Sequence, residues 1–212
     1  MKRLAIIGSG DLGEQIAYHA VHDKQFNVVG FFDDFEPSQS QKYGYPILGS
    51  LDDINKNFLD GAFDLLFVAI GYKHFEFRSN IFEKFEDLIP FATIIHSSAY
   101  VDESCEIGQG VIIYPGCILD MKVKIESNVL INSGCVIAHD SKIGKHSFLS
   151  PGVTMAGFIN IGKRVSLGIN TTVIDNIDIR DDVRTGGGAV VTKDIELAGL
   201  YIGIPAILNK KL

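Results

Sequence analysis

From residue 95 onward a large apolar side chain recurs at every sixth position. Neither an α-helix nor an alternating strand produces that spacing. The series runs Ile95, Val101, Ile107, Ile113, Leu119, Ile125, Ile131, Ile137, Ile143, Leu149, Met155, Ile161, Leu167, Val173 and Ile179 without a polar member. With about a third of positions aliphatic by chance, such a run would arise far less than about once in a million sequences, so it is an internal repeat. A second register, four residues after each of these, passes through Ala99, Cys105, Val111, Cys117, Val123, Val129, Cys135, Ser141, Ser147 and Val153 to Val183, and its residues are small or β-branched. Short strands joined by tight corners fit both registers, with the large residue stacked inside each rung and the smaller one near the corner. Gly108, Gly144, Gly162 and Gly168 follow the large residue, where the backbone is expected to bend. Cys105, Cys117 and Cys135 fall in the small register and lack CxxC or Cys/His spacing, so packing accounts for them better than a disulfide, a zinc site or a nucleophile.

The chain before this repeat has a different grammar. Leu4-Ala5-Ile6-Ile7, Asn27-Val28-Val29-Gly30-Phe31-Phe32 and Leu65-Leu66-Phe67-Val68-Ala69-Ile70 read as buried parallel strands. Residues 14–21 and 78–85 read as helices, and 34–45, with Pro37, Ser38, Ser40 and Gly44, reads as a loop. That alternation is an α/β pattern. A chain of 212 residues with 46% hydrophobic content supports two small cores. The expected domains are 1–91, an α/β Rossmann-like half domain, and 92–212, the repeat. A net charge of −7 disfavours nucleic acid as a partner. The apolar run at Leu4 meets Gly8 too soon for a signal-peptide core, and no segment reaches membrane-spanning length, so a cytoplasmic protein without membrane insertion is expected.

Gly8-Ser9-Gly10-Asp11-Leu12-Gly13 follows the first strand and opens the first helix, the context in which backbone amides can approach a diphosphate at a helix N-terminus. Asp33 and Asp34 close the second strand, where an acidic residue meets a ribose or base. NAD and a nucleotide-sugar both satisfy this motif. About ninety residues supply one mononucleotide-binding half rather than the two of a dinucleotide fold, which favours the nucleotide-sugar. His19, His22 and His74 show no partner pattern and read as solvent-facing.

His139 lies off both inward registers, in Ile137-Ala138-His139-Asp140-Ser141, and is expected to project outward. An imidazole followed at once by a carboxylate can be oriented as a general base. A surface histidine in water is the plainer alternative. A β-helix acting as a scaffold, with the front domain sensing a nucleotide, is the alternative for the whole chain, but a scaffold has no need of the His139-Asp140 pair.

The rule Leu/Ile/Val, often Gly, two variable residues, then Ser/Thr/Ala/Val resembles the hexapeptide-repeat acyltransferases, which implies a left-handed parallel β-helix. Asn132-Ser133-Gly134-Cys135-Val136-Ile137-Ala138-His139-Asp140 resembles the catalytic rung of the bacterial sugar O-/N-acetyltransferase family, represented by sialic acid O-acetyltransferases and bacillosamine-type N-acetyltransferases of UDP-amino-sugars. The tail, Gly187-Gly188-Ala189-Val190-Val191-Thr192-Lys193-Asp194 and Gly203-Ile204-Pro205-Ala206, is similar to the end of these enzymes. The resemblance implies His139 as base supported by Asp140, direct transfer from acetyl-CoA, and no metal. It places Gly157 at the oxyanion and Ile169 and Gly187 along the pantetheine arm. Phe148 joins them in the acetyl-CoA subsite, where bacillosamine-type enzymes can carry a second histidine, and that polar contact is missing here. His146 is not a substitute, because two residues along a rung changes direction. Tyr45-Pro46-Ile47-Leu48-Gly49-Ser50-Leu51 and Ala69-Ile70-Gly71 resemble the acceptor-binding segments, and add Gly71 to Gly8, Ser9, Gly10, Asp11, Gly13, Asp33 and Asp34. The activity implied is N-acetylation of a nucleotide-linked amino sugar, with O-acetylation of a sialic-acid-type sugar as the alternative. A homotrimer is implied as well, burying outward residues such as Ile174, Leu130 and Ile112.

Overall fold

The computed structural model describes residues 1–211, and the chain divides into two compact units with the boundary between Ile94 and Ile95. In the first unit β1 (Arg3–Ile7), β2 (Asn27–Phe32), β3 (Gln41–Lys42), β4 (Tyr45–Gly49) and β5 (Leu65–Val68) form one sheet in the order β3-β4-β2-β1-β5. The pairs β1–β2, β1–β5 and β2–β4 are parallel, with Ile6 opposite Phe31 and Phe67. Helices α1 (Asp11–His22), α2 (Ile54–Leu59) and α3 (Phe75–Phe85) complete the unit. One core cluster joins Ile7, Phe32, Phe63, Leu66, Phe82 and Phe85, so β1, β2, β5 and α3 share an apolar interior.

Three details differ from the sequence reading. Residues 34–45 are not wholly a loop: β3 and β4 make an antiparallel hairpin with Lys42 opposite Tyr45. Tyr43 and Gly44 both have positive φ, 53° and 82°, as a two-residue type I′ turn requires. Both helices also begin one turn early, α1 at Asp11 and α3 at Phe75, because the apolar spacing that betrays a helix does not register its polar first turn. The third strand stops at Val68, leaving Ala69 and Ile70 to turn away beneath Gly8.

The second unit is a triangular parallel β-helix. Strands of two residues, three at Val183–Thr185, follow one another at about six-residue spacing from Ile94–Ile95 to Val190–Val191, and up to Thr172–Val173 each pairs in parallel with the strand three further on. Three flat faces result. One carries Ile112–Ile113, Leu130–Ile131, Phe148–Leu149 and Ser166–Leu167; the second Ile118–Leu119, Val136–Ile137, Thr154–Met155 and Thr172–Val173; the third Lys124–Ile125, Lys142–Ile143 and Asn160–Ile161. Ile137 therefore lies over Leu119 and under Met155. From Ile113 to Ile179 the sixth-residue series is entirely buried in one cluster, with Cys117 and Cys135 wholly inside it and Cys105 packed against it. The thiols are packing groups. Buried Ser147 lends its hydroxyl to the ladder, donating to Gly162 O at 3.0 Å and accepting from Val165 N–H at 3.2 Å.

The glycines after the large residue have a different cause from the bend first inferred. Gly108, Gly144, Gly162 and Gly168 do not have positive φ. They are required by crowding between coils: a Cβ on Gly144 would sit 2.5 Å from Gly162 O, and one on Gly168 2.6 Å from Thr185 O. Leu130 and Ile112 also differ from expectation. Both have 0% exposure, stacked in register with each other and with Phe148, so they offer no surface to a neighbour; Ile174 does, at 39%. Gly144→Ala places a methyl against a backbone oxygen that cannot rotate aside. We expect a loss of about 1–3 kcal/mol, seen as a lowered melting temperature. An unchanged transition would show that successive coils are further apart than described.

Candidate active site

The corner that follows Val136–Ile137 carries His139 and Asp140. His139 Nδ1 lies 3.0 Å from Asp140 Oδ2, and the His139 side chain is 42% exposed, so the imidazole projects outward as its register demands. A carboxylate oxygen only accepts, so Nδ1 carries the proton and Nε2 holds the lone pair: the tautomer of a general base. The other carboxylate oxygen of Asp140 faces Lys122 Nζ at 3.7 Å, an exposed contact of little energetic weight. One coil further on, Gly157 lies over the imidazole. A Cβ there would be 2.7 Å from His139 Cε1 and 2.9 Å from Nε2, so the ring occupies the space that a side chain at 157 would fill. The ring is also edge-to-face with Phe158, centroids 5.1 Å apart.

The remaining acetyl-CoA candidates lie elsewhere on the same helix. Ile169, 57% exposed, and Gly187 are neighbours on successive coils at the corner preceding the second face, where Gly188 N–H donates to Ile169 O at 2.7 Å. Phe148 is buried on the first face between Leu130 and Ser166. One chain thus joins His139, Asp140 and Gly157, and separately Ile169 and Gly187, but does not join the two groups at one corner. His146 is buried at a different corner, with Nδ1 2.9 Å from Asn128 Nδ2, and takes no part in the His139 cluster.

The front unit has its own cavity of about 760 Å³, beyond the carboxyl ends of β1, β2 and β5. There the strand order reverses about β1, the place where open α/β sheets receive ligands. Gly8, Gly10, Asp11, Asp33, Asp34 and Gly71 line it. Ser9 and Gly13 stand behind it. Gly8 turns with φ +96°, and a Cβ on Gly13 would be 2.2 Å from Gly8 O, so α1 can approach β1 only with glycine there. No side chain caps α1, so the amides of its first turn are open at this end. Asp33 has a role the sequence did not display: its Oδ2 accepts from Ser9 N–H at 2.9 Å and Ser9 Oγ at 2.7 Å, and its Oδ1 from Phe35 N–H at 3.0 Å. It ties the glycine turn to the end of β2. Asp34 Oδ1 accepts from Leu51 N–H at 2.8 Å. His74, read earlier as a solvated bystander, lines the cavity together with Phe35, which is 94% exposed, and Phe77. Their spacing follows no repeat; an exposed phenylalanine directly after Asp33-Asp34 was the available signal. Among the described residues no group of three His, Cys, Asp or Glu is placed to hold a metal ion, and no helix is long and apolar enough to cross a membrane.

The PglD N-terminal domain family matches residues 3–85, and the bacterial transferase hexapeptide family, six repeats, matches 122–157. No curated protein matches the chain. Among solved structures, PerB from Caulobacter crescentus, in complex with CoA and GDP-perosamine, is 28% identical with a TM-score of 0.90, over 99% of this chain and 98% of that one. The acetyltransferase domain of PglB from Neisseria gonorrhoeae is 26% identical with a TM-score of 0.88, over 99% of this chain and 100% of that one. WeeI from Acinetobacter baumannii, 23% identical with a TM-score of 0.82 over 99% and 100%, shares the fold. An α/β front unit followed by a left-handed hexapeptide β-helix, with an outward histidine-aspartate pair, defines the class of hexapeptide-repeat acyltransferases. Within that class the front unit carries the PglD N-terminal domain and the second unit the bacterial transferase hexapeptide repeat, and the chain is an acetyltransferase.

The Asp33 tie makes stability depend on pH. Burial alone would raise this carboxyl, but the hydrogen bonds from Ser9 N–H, Phe35 N–H and the Ser9 hydroxyl outweigh it and hold the group below its ordinary value. A depressed folded value means that the contribution is present above the ordinary aspartate range and is lost as pH falls through the lowered one. The melting temperature of Asp33→Asn should therefore lie furthest below that of the parent near neutrality and converge on it in acid. A gap constant with pH would contradict the ionised tie.

Proposed function

We propose that the protein transfers an acetyl group from acetyl-CoA to the amine of a nucleotide-linked amino sugar, with His139 as general base and Asp140 fixing its tautomer. The observation that carries this reading is the outward imidazole with Nδ1 bound to Asp140 and Nε2 left to accept a proton, seated against Gly157. The front cavity supplies a nucleotide site of the right chemistry: glycine amides and a helix N-terminus for a diphosphate, and the exposed rings of Phe35 and Phe77 for a base. That PerB binds CoA and GDP-perosamine, and that the PglB domain binds acetyl coenzyme A, supports the same pair of ligands.

In this reading the amine nitrogen attacks the thioester carbonyl carbon while His139 Nε2 removes its proton. The carbonyl oxygen becomes an oxyanion, which the Gly157 N–H stabilises. Collapse breaks the C–S bond, and the coenzyme A thiolate takes the proton back from the imidazolium, leaving an amide and a neutral histidine. Ile169 and Gly187 hold the pantetheine arm. They sit at a different corner from His139, so the complete site calls for a second copy. A homotrimer built on exposed Ile118, Met121, Ile169 and Ile174 lets one copy's pantetheine corner meet the next copy's base.

Release of coenzyme A should be measured across UDP-, dTDP- and GDP-linked amino sugars and free sialic acids. Turnover with an amino sugar is expected, while release with sialic acids alone would favour O-acetylation. His139→Ala should reduce turnover on the order of 10²- to 10⁴-fold with acetyl-CoA affinity nearly unchanged. Near-normal turnover would remove His139 from the mechanism. Sedimentation should show a trimer at micromolar concentration, and a stable monomer with full activity would contradict the shared site.

A further inference from the structure

The corner carrying Asp140 belongs to a column of residues repeated once per coil, Lys122, Asp140, Phe158 and Asn176, all left-handed with φ of 58°, 57°, 58° and 57°. Aspartate and asparagine are suited to that conformation, whereas a bulky aromatic in it costs backbone free energy. Phe158 regains little through burial, since it is 55% exposed. It does have a partner. Its ring stands at 88° to the His139 imidazole with centroids 5.1 Å apart, and its N–H donates to His139 O at 3.1 Å, so both its backbone and its side chain are committed to the histidine one coil below. The imidazole is then bounded by Asp140 at Nδ1, by the Gly157 backbone over the ring and by the Phe158 ring beside it.

We infer that Phe158 is a positioning residue: its ring holds the His139 imidazole in the plane that presents Nε2 to the acceptor amine. The inference rests on the reading of His139 as the base. It adds that a carboxylate hydrogen bond alone leaves the ring free to swing about Nδ1, and that an aromatic wall removes this freedom. A misplacement of about 1 Å at a reacting group is enough for a loss of about 10²-fold.

Phe158→Asn is the discriminating substitution, because asparagine suits the left-handed position and removes only the ring. Its melting temperature should equal or exceed that of the parent. Turnover should fall about 10- to 100-fold, with KM for both substrates within about twofold, the pattern of lost transition-state alignment rather than lost binding. Phe158→Tyr, which keeps the ring, should restore turnover to within about threefold of the parent. In the free full-length protein, ¹³C relaxation of the His139 ring carbons should show an ordered ring in the parent and in Phe158→Tyr and a mobile one in Phe158→Asn, while the Nδ1–H tautomer held by Asp140 stays dominant in all three. Unchanged ring order in Phe158→Asn overturns the inference whatever the rate, and so does a KM effect with normal turnover. His139→Ala run alongside separates the two readings: if it retains turnover the base assignment has failed, while the ring relaxation of Phe158→Asn still reports whether Phe158 orients the histidine.

Discussion

The second half of the chain depends on the hydrogen bond that each coil makes to the one above it. Ile118 N–H donates to Cys135 O at 2.8 Å, Val136 N–H to Val153 O at 2.9 Å, and Thr154 N–H to Thr171 O at 2.9 Å. A two-residue strand is far too short to persist alone, so the ladder exists only because the coils up to Val191 contain the same number of residues and return each strand into register with the last. The repeat of large aliphatic residues is the side-chain counterpart: Leu119, Ile137, Met155 and Val173 form one inward stack because the backbone brings them to the same height and face. Crowding at Gly144 and Gly168 follows from the same tight pitch, which leaves no room for a Cβ between coils.

The pairing at the candidate active site is a by-product of this ladder. His139 and Asp140 are adjacent in sequence, yet Gly157 and Phe158 reach them only because one coil separates them. Side chains distant in sequence thus meet without a loop or a hinge, on a backbone whose every corner is hydrogen-bonded. That rigidity suits the role proposed for His139, in which the orientation of the ring matters. The front unit works differently: its cavity is assembled at the ends of three strands by single side-chain ties, of which Asp33 to Ser9 is the clearest.

Legibility in the sequence followed the same division. Periodicity exposed the β-helix almost completely, because burial there has a strict period that every large residue from Ile113 to Ile179 obeys. His139 and Asp140 were visible as the exception, a polar pair off both inward registers. Features without a period were harder to read. The β3–β4 hairpin was missed because Tyr43-Gly44 is a weaker turn signal than Asn-Gly, although it adopts the same positive φ values. Leu130 and Ile112 read as outward from their register alone, and alternation along a strand cannot show whether an outward face is covered. The hydrogen bonds of Asp33 to Ser9 and Phe35 were not legible, because motif spacing locates a carboxylate but not its partners. Phe158 carried no signal, since its meaning lies in the residue one coil below.

The column of left-handed corner residues Lys122, Asp140, Phe158 and Asn176 has a consequence for how such an enzyme can change. In this helix a functional group has an address with two coordinates, the corner it occupies and the storey on which it stands. Duplicating one whole coil alters the storey and preserves the corner, so His139, Asp140, Gly157 and Phe158 would be carried upward together as an intact set if the new coil entered before them. An insertion between Asp140 and Gly157 of any length other than a whole coil moves Gly157 and Phe158 to a different edge and disperses the set. The architecture therefore admits growth in quanta of one turn, like a spiral staircase lengthened by whole revolutions, and resists the small length changes that loop-built active sites absorb easily.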